Sequence, residues 1–157
     1  MTTLTTTLYP FLFGVKIRLE GSVEDGGRIE IRGDEIGDEL AFKLAPSLFA
    51  LVAVLARRSL SVMSLELPLA KTFVKKQELY QQLRPALHLS DIDCINKYSH
   101  NTRNRIESQV AAHLGTSARH FRQLIQTTEL GLRLSVPPEL IEVDVIDWAV
   151  LAPDPGL

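Results

Sequence analysis

Cysteine is almost absent from this chain of 157 residues. Cys94 stands alone, which excludes an internal disulfide framework, fits a reducing compartment and makes the thiol a bystander rather than a redox centre. Metal-ligand spacing is lacking as well, because His88, His100, His113 and His120 share no such interval and Cys94 has no partner, so no metal site is expected. No Gly-rich phosphate loop occurs, and Gly26-Gly27 reads as a hairpin turn. Ser90-Asp91-Ile92-Asp93 supplies helix-cap and first-turn acids rather than a catalytic carboxylate pair. No nucleophile and base pair is recognisable either, so neither an enzyme nor a cofactor is expected. The longest apolar run, Leu48 to Ala56, is too short to span a bilayer and ends in Arg57 and Arg58. The opening MTTLTTTLYP lacks the basic start and long apolar stretch of a secretion signal. A cytoplasmic protein without membrane contact is the expectation.

What is present is ordinary in bulk and uneven in distribution. Hydrophobic residues make up 45% and charged residues 23%, enough for one domain to bury a core without metal or disulfide support. The formal net charge of −2 counts against whole-surface affinity for polyanions. Yet acids crowd the first forty residues and the end, whereas basic residues outnumber acids between Lys71 and Arg122. Such a dipolar chain has one anion-facing side.

The order of elements follows from hydrophobic period. Phe11 to Leu19 and Arg28 to Arg32 alternate as strands, and Leu40 to Leu44 closes an N-terminal antiparallel sheet. At Ala45-Pro46-Ser47 the period changes to that of a buried first helix through Leu48, Leu51, Val52 and Leu55. Residues 58–72 read as an irregular connection, and Lys75 to Arg84 as a second helix stopped by Pro85. Ser90 and Asp91 are candidate caps for a third helix that is expected to run on through Val110 to Leu114, with Gly115 as its stop. Leu124 to Thr128 and Leu132 to Val136 form a hairpin, and the acid-flanked tail from Leu140 to Trp148 supplies a further edge strand.

Within the third helix, INKYSHNTRNRI from Ile95 to Ile106 divides at about 100° per residue. Ile95, Ser99, Thr102 and Ile106 form an inward stripe, and Lys97, His100, Asn101 and Asn104 lie opposite, flanked by Arg103 and Arg105. Asparagine, histidine and lysine on one outward face provide the donors and acceptors that match base edges in a major groove.

Sheet, three helices and hairpin, in that order, resemble the winged helix-turn-helix DNA-binding domain of the OmpR/PhoB response-regulator type. Four segments carry the resemblance, covering roughly residues 10–138. Leu44-Ala45-Pro46-Ser47-Leu48-Phe49-Ala50-Leu51 resembles the family's entry to its first helix, and Phe73-Val74-Lys75-Lys76-Gln77-Glu78-Leu79 the start of its second. Ile95 to Ile106 is similar to the recognition helix, and Leu124-Ile125-x-Thr127 with Gly131-x-Arg133-Leu134 to the wing. Departures are equally visible: Glu129 replaces a basic residue in a shortened wing turn, Leu132 replaces an aromatic, and Ser99 and Thr102 replace bulkier anchors. Residues 58–72 and 110–122 exceed the family's usual connections, and no receiver domain is present in this sequence.

The resemblance implies a single winged-helix domain over 1–157. Its parts are an N-terminal sheet (10–44), a helical core (45–115), a connection and wing (116–138) and a tail (139–157). It implies a transcription regulator binding double-stranded DNA as a homodimer. Asn101 and Asn104 would pair with adenine edges, and Lys97 and His100 with guanine edges or a phosphate. Arg103 and Arg105 would hold the backbone, Lys75 and Lys76 would sit over phosphates, and Arg133 would be the wing cation. The alternative is a protein-binding winged helix, favoured by the overall acidity and by a tail, Leu140 to Leu151, that carries Trp148.

Overall fold

The computed structural model describes residues 10–12 and 14–157; residues 1–9 and Phe13 of the expected first strand lie outside them. Strands β1 (Val15–Ser22), β2 (Gly26–Gly33) and β3 (Gly37–Leu44) lead into helices α1 (Pro46–Ser64), α2 (Lys76–Leu87) and α3 (Cys94–Leu114). A hairpin, β4 (Ile125–Thr128) and β5 (Gly131–Leu134), follows, and then β6 (Ile141–Val145). The class is α+β, with a four-stranded sheet and a small separate hairpin sheet.

Alternation dictates how the large sheet seats itself. Ile17, Leu19, Ile29, Ile31, Leu40, Phe42 and Leu44 are all buried, while Lys16, Glu20, Arg28 and Arg32 face outward. Register sets Ile17 opposite Ile31, Leu19 opposite Ile29, and Ile29 opposite Phe42, so the inner face is a continuous aliphatic layer. Ser22 pairs with Gly26, so the turn is Val23-Glu24-Asp25 and the two glycines expected to form it begin β2 instead.

The three N-terminal strands pair antiparallel, as the sequence suggested, and the tail strand joins them at an edge. β6 lies parallel to β1, giving the order β3-β2-β1-β6. A parallel partner needs a long crossover, and the helices and hairpin supply it. Asp147, just past β6, fastens the end by accepting the backbone N–H of Val23 at 2.6 Å and of Glu24 at 3.1 Å, and the Ser22 hydroxyl at 2.9 Å.

Helix α1 is the centre of the molecule. Phe49 to Ala56 are all buried, as a helix apolar on every side must be. By length and composition it is the one described helix apolar enough to cross a membrane, and it is packed within the fold. It also continues to Ser64, so the expected irregular connection begins later. Arg57 and Arg58 do not end the helix because both are given partners. Arg57 donates to Gln82 Oε1 at 2.5 Å and to the Ala152 carbonyl at 3.0 Å. Arg58, 2% exposed, is gripped by Asp154 and donates to Glu78 and to the carbonyls of Lys71 and Phe73.

Two helix ends differ from expectation. α2 runs through Pro85 to Leu87, because a proline in the last turn forfeits only one hydrogen bond; left-handed His88 then closes the helix on the Arg84 carbonyl. α3 starts after Asp93, with Asp91 accepting the Asp93 N–H at 2.9 Å, rather than from a Ser90 or Asp91 cap. Its stop is the expected Gly115, at φ +72°. Both hairpin strands are shorter than the sequence suggested, and Val74, just before α2, exchanges backbone hydrogen bonds with Leu132 of β5 at 2.7 and 2.9 Å. Helices, sheet and hairpin share one hydrophobic core.

Candidate nucleic-acid interface

The division of α3 follows the sequence. Ile95, Ser99, Thr102, Ile106 and Val110 are buried along one line, and Lys97, His100, Asn101 and Asn104 are exposed on the other. Small polar residues suit the inward line because their hydroxyls are satisfied there. Thr102 Oγ1 donates to the Tyr98 carbonyl at 2.7 Å, and Ser99 Oγ accepts from Arg103 at 2.7 Å. Ser99 and Thr102 are therefore fully buried anchors, at 4% and 0% exposure.

The exposed face has internal order. Asn104 Oδ1 accepts from Arg122 Nη1 at 2.5 Å, and its Nδ2 lies 3.1 Å from His100 Nε2. Arg122 also reaches Glu107 at 3.0 Å. These bonds fix the amide orientation of Asn104, whereas Lys97 and Asn101 make no hydrogen bond or ion pair with the described residues.

Both flanking arginines turn back onto the fold. Arg103 donates Nε to the Ile125 carbonyl at 3.1 Å and Nη2 to Ser99 Oγ and Thr127 Oγ1, so it ties α3 to β4. Burial, with the neighbouring Arg122 charge adding to it, holds its pKa below the ordinary arginine value. Arg105 donates to the Lys43 carbonyl of β3 at 3.2 and 3.3 Å and lies over the Phe42 ring. At the start of α2, Lys75 is exposed, Lys76 is half-buried, and the Lys75 N–H is accepted by Glu78.

Arg133 overturns its expected place as the wing cation. It is 1% exposed, with its guanidinium between the rings of Phe11 and Phe73 at 4.3 and 4.4 Å and its Nε donating to Gln126 Oε1 at 2.8 Å. Burial lowers its pKa to about 10. The cause is that β5 is covered on both faces, so alternation does not turn Arg133 outward. Trp148 of the tail is half-buried, with Arg57 over its ring at 5.3 Å.

Sequence reasoning passed over the 3-10 turn Arg119–Leu124. At three residues per turn, Ala118, Phe121 and Leu124 are buried together, and Arg119 and Arg122 share another side. The signal was legible as basic residues three apart inside an apolar triplet of the same period. The histidines are dispersed: His113 Nε2 lies 2.8 Å from the Ile36 carbonyl and His120 Nε2 lies 3.2 Å from Glu35. Among the described residues no three His, Cys, Asp or Glu side chains converge on one point. No protein-family model, curated protein or solved structure matches the chain.

Proposed function

We propose that this chain is a winged helix-turn-helix regulator that reads double-stranded DNA by setting α3 in the major groove. The observation that carries the reading is the face of α3, where Lys97, His100, Asn101 and Asn104 stand exposed on a helix locked to the core by Ile95, Ser99, Thr102 and Ile106. Three helices followed by a hairpin, with Val74 bridged to Leu132, support the winged-helix assignment. In this reading Asn101 and Asn104 address base edges, and Lys97 and His100 address guanine or phosphate. Lys75 and Lys76 approach the backbone from the start of α2, while Arg103 and Arg105 brace the helix. A single helix reads few base pairs, so a homodimer on paired half-sites follows.

Fluorescence anisotropy with a pool of genomic duplexes at two salt concentrations tests this. Binding that weakens steeply with salt and varies among fragments is expected. Flat, salt-independent signals would instead favour a protein-binding role. That second reading has its own support in a cleft of about 510 Å³ where Leu60, Leu65, Val143 and Trp148 stand with Arg57, Ser61 and Ser64, beside β6, an edge strand among the described residues.

A further inference from the structure

Between α3 and β4 lies a cleft of about 520 Å³ whose walls carry Arg103, Arg119, His120 and Arg122 and no acidic side chain. Four features set it apart from a solvated basic patch. The cleft is a concavity between α3, the turn that carries Arg119 to Gln123, and β4, with Ile125 and Thr127 at its β4 wall. Arg103 is immobilised by three hydrogen bonds that use Nε and Nη2, and its Nη1 makes none with the described residues. Arg119, exposed at the rim, has no ion pair or hydrogen bond there either. Arg103 and Arg122 lie near enough for the charge of one to disfavour the charge of the other, and Glu107 and Glu35, which pair with Arg122 and His120, stand outside the lining.

We propose that this cleft is a phosphate-type oxyanion site, with Arg103 as its fixed floor, Arg119 and Arg122 as the closing donors and His120 at the rim. Arg119 presents paired N–H donors that match two oxygens of a tetrahedral anion, Arg103 adds the N–H donors of Nη1, and an anion between Arg103 and Arg122 relieves their mutual repulsion. Arg119, His120 and Arg122 come from the connection between α3 and the hairpin, and Arg103 comes from α3 itself. The site also touches the α3 face, because Arg122 holds both the cleft and Asn104. An anion that draws Arg122 inward changes the hydrogen bonding of Asn104 Oδ1. Two sources supply the same chemistry: a backbone phosphodiester, in which case the inference rests on the proposed DNA reading, or a free phosphorylated small molecule.

The test is an NMR titration of the full chain with inorganic phosphate and pyrophosphate, following arginine Nε–H and Asn104 side-chain signals, in parallel with duplex anisotropy. The variants are Arg119→Gln and Arg122→Gln, with Arg32→Gln on the sheet as control. Saturable shifts at Arg103, Arg122 and Asn104 that weaken about five- to tenfold in Arg119→Gln are expected for a site open to free anions. If the free anions produce no shift but Arg119→Gln and Arg122→Gln each lower the salt slope of duplex binding by about one, the source is the nucleic-acid backbone. Free-anion binding with no duplex binding leaves the cleft standing and removes the DNA reading. Duplex binding unchanged by either cleft variant, together with anion shifts absent or spread equally over Arg32, overturns the cleft and leaves the DNA reading intact.

Discussion

Asp154 holds the buried guanidinium of Arg58 in a two-pronged grip, one carboxylate oxygen 2.6 Å from Nε and the other 2.6 Å from Nη2. The pair joins the last described segment to the central helix, and Glu78 at 3.2 Å from Arg58 extends it to α2. Glu78 also accepts the N–H that opens α2. One buried cation therefore sets the positions of α1, α2 and the tail.

Removing one partner leaves the other charge buried and unpaired, so Asp154→Ala is expected to cost about 3–5 kcal/mol. Burial alone would raise the Asp154 pKa, but hydrogen bonds from Arg58 and the Gly156 N–H, with the charges of Arg58 and Arg57, outweigh it and hold the carboxyl below its ordinary value. A depressed carboxyl stabilises the fold above its unfolded pKa, about 3.9, and loses that contribution as pH falls through the lower folded value. Urea unfolding between pH 7 and pH 2 should therefore show a steep acid loss in the parent chain and a shallower one in Asp154→Asn. Equal slopes would remove the pair from the acid response.

Asn101→Ala combined with Asn104→Ala should weaken binding to a selected duplex by at least about tenfold, since each bidentate adenine contact is worth about 1–3 kcal/mol. Binding to random duplex should change little, because phosphate contacts supply it. Competition anisotropy measures both, and equal losses on the two duplexes would show that these asparagines read no bases.

Arg133→Ala should act on stability and not on DNA. Emptying the space between Phe11 and Phe73 is expected to cost about 2–4 kcal/mol, seen as a lower thermal midpoint. Duplex affinity measured well below that midpoint should stay within about twofold, because a side chain this deeply enclosed meets no phosphate. A selective loss of affinity with unchanged stability would return Arg133 to the interface.

Gly131 opens β5 at φ +124°, and a Cβ placed there would lie 2.3 Å from the Val74 carbonyl oxygen. Both the left-handed φ and the collision with backbone oppose a side chain, so Gly131→Ala should destabilise by more than about 1 kcal/mol. Amide exchange of Leu132 and Val74, whose hydrogen bonds join the hairpin to the α2 entrance, should accelerate more than that of β1. Uniform acceleration would mean that the hairpin does not open by itself.

Period made much of the fold legible. Strand alternation in β1 to β3, the apolar run of α1, and the inward line of Ile95, Ser99, Thr102 and Ile106 are local patterns, and a chain can state them within a dozen residues. Partners far apart in sequence were not legible. Nothing in Ile141 to Val145 says that its neighbour is β1 or that the pairing is parallel, and nothing near Arg58 announces Asp154. Arg133 misled for the same reason: alternation predicts an outward arginine on a strand with one covered face, and only Phe11 and Phe73, brought from elsewhere, cover the second. The α3 face was read correctly because its exposure depends on helix pitch alone, whereas the destinations of Arg103 and Arg105 depend on β4 and β3.

The parallel seam between β1 and β6 also has a consequence for biosynthesis. Val23 and Asp147 are 124 residues apart, so during translation the first hairpin must wait for the three helices and the second hairpin before its lateral neighbour exists. Until β6 has emerged, the flank of β1 that it covers is exposed to intermolecular pairing, the hazard of a contact between segments so distant in sequence.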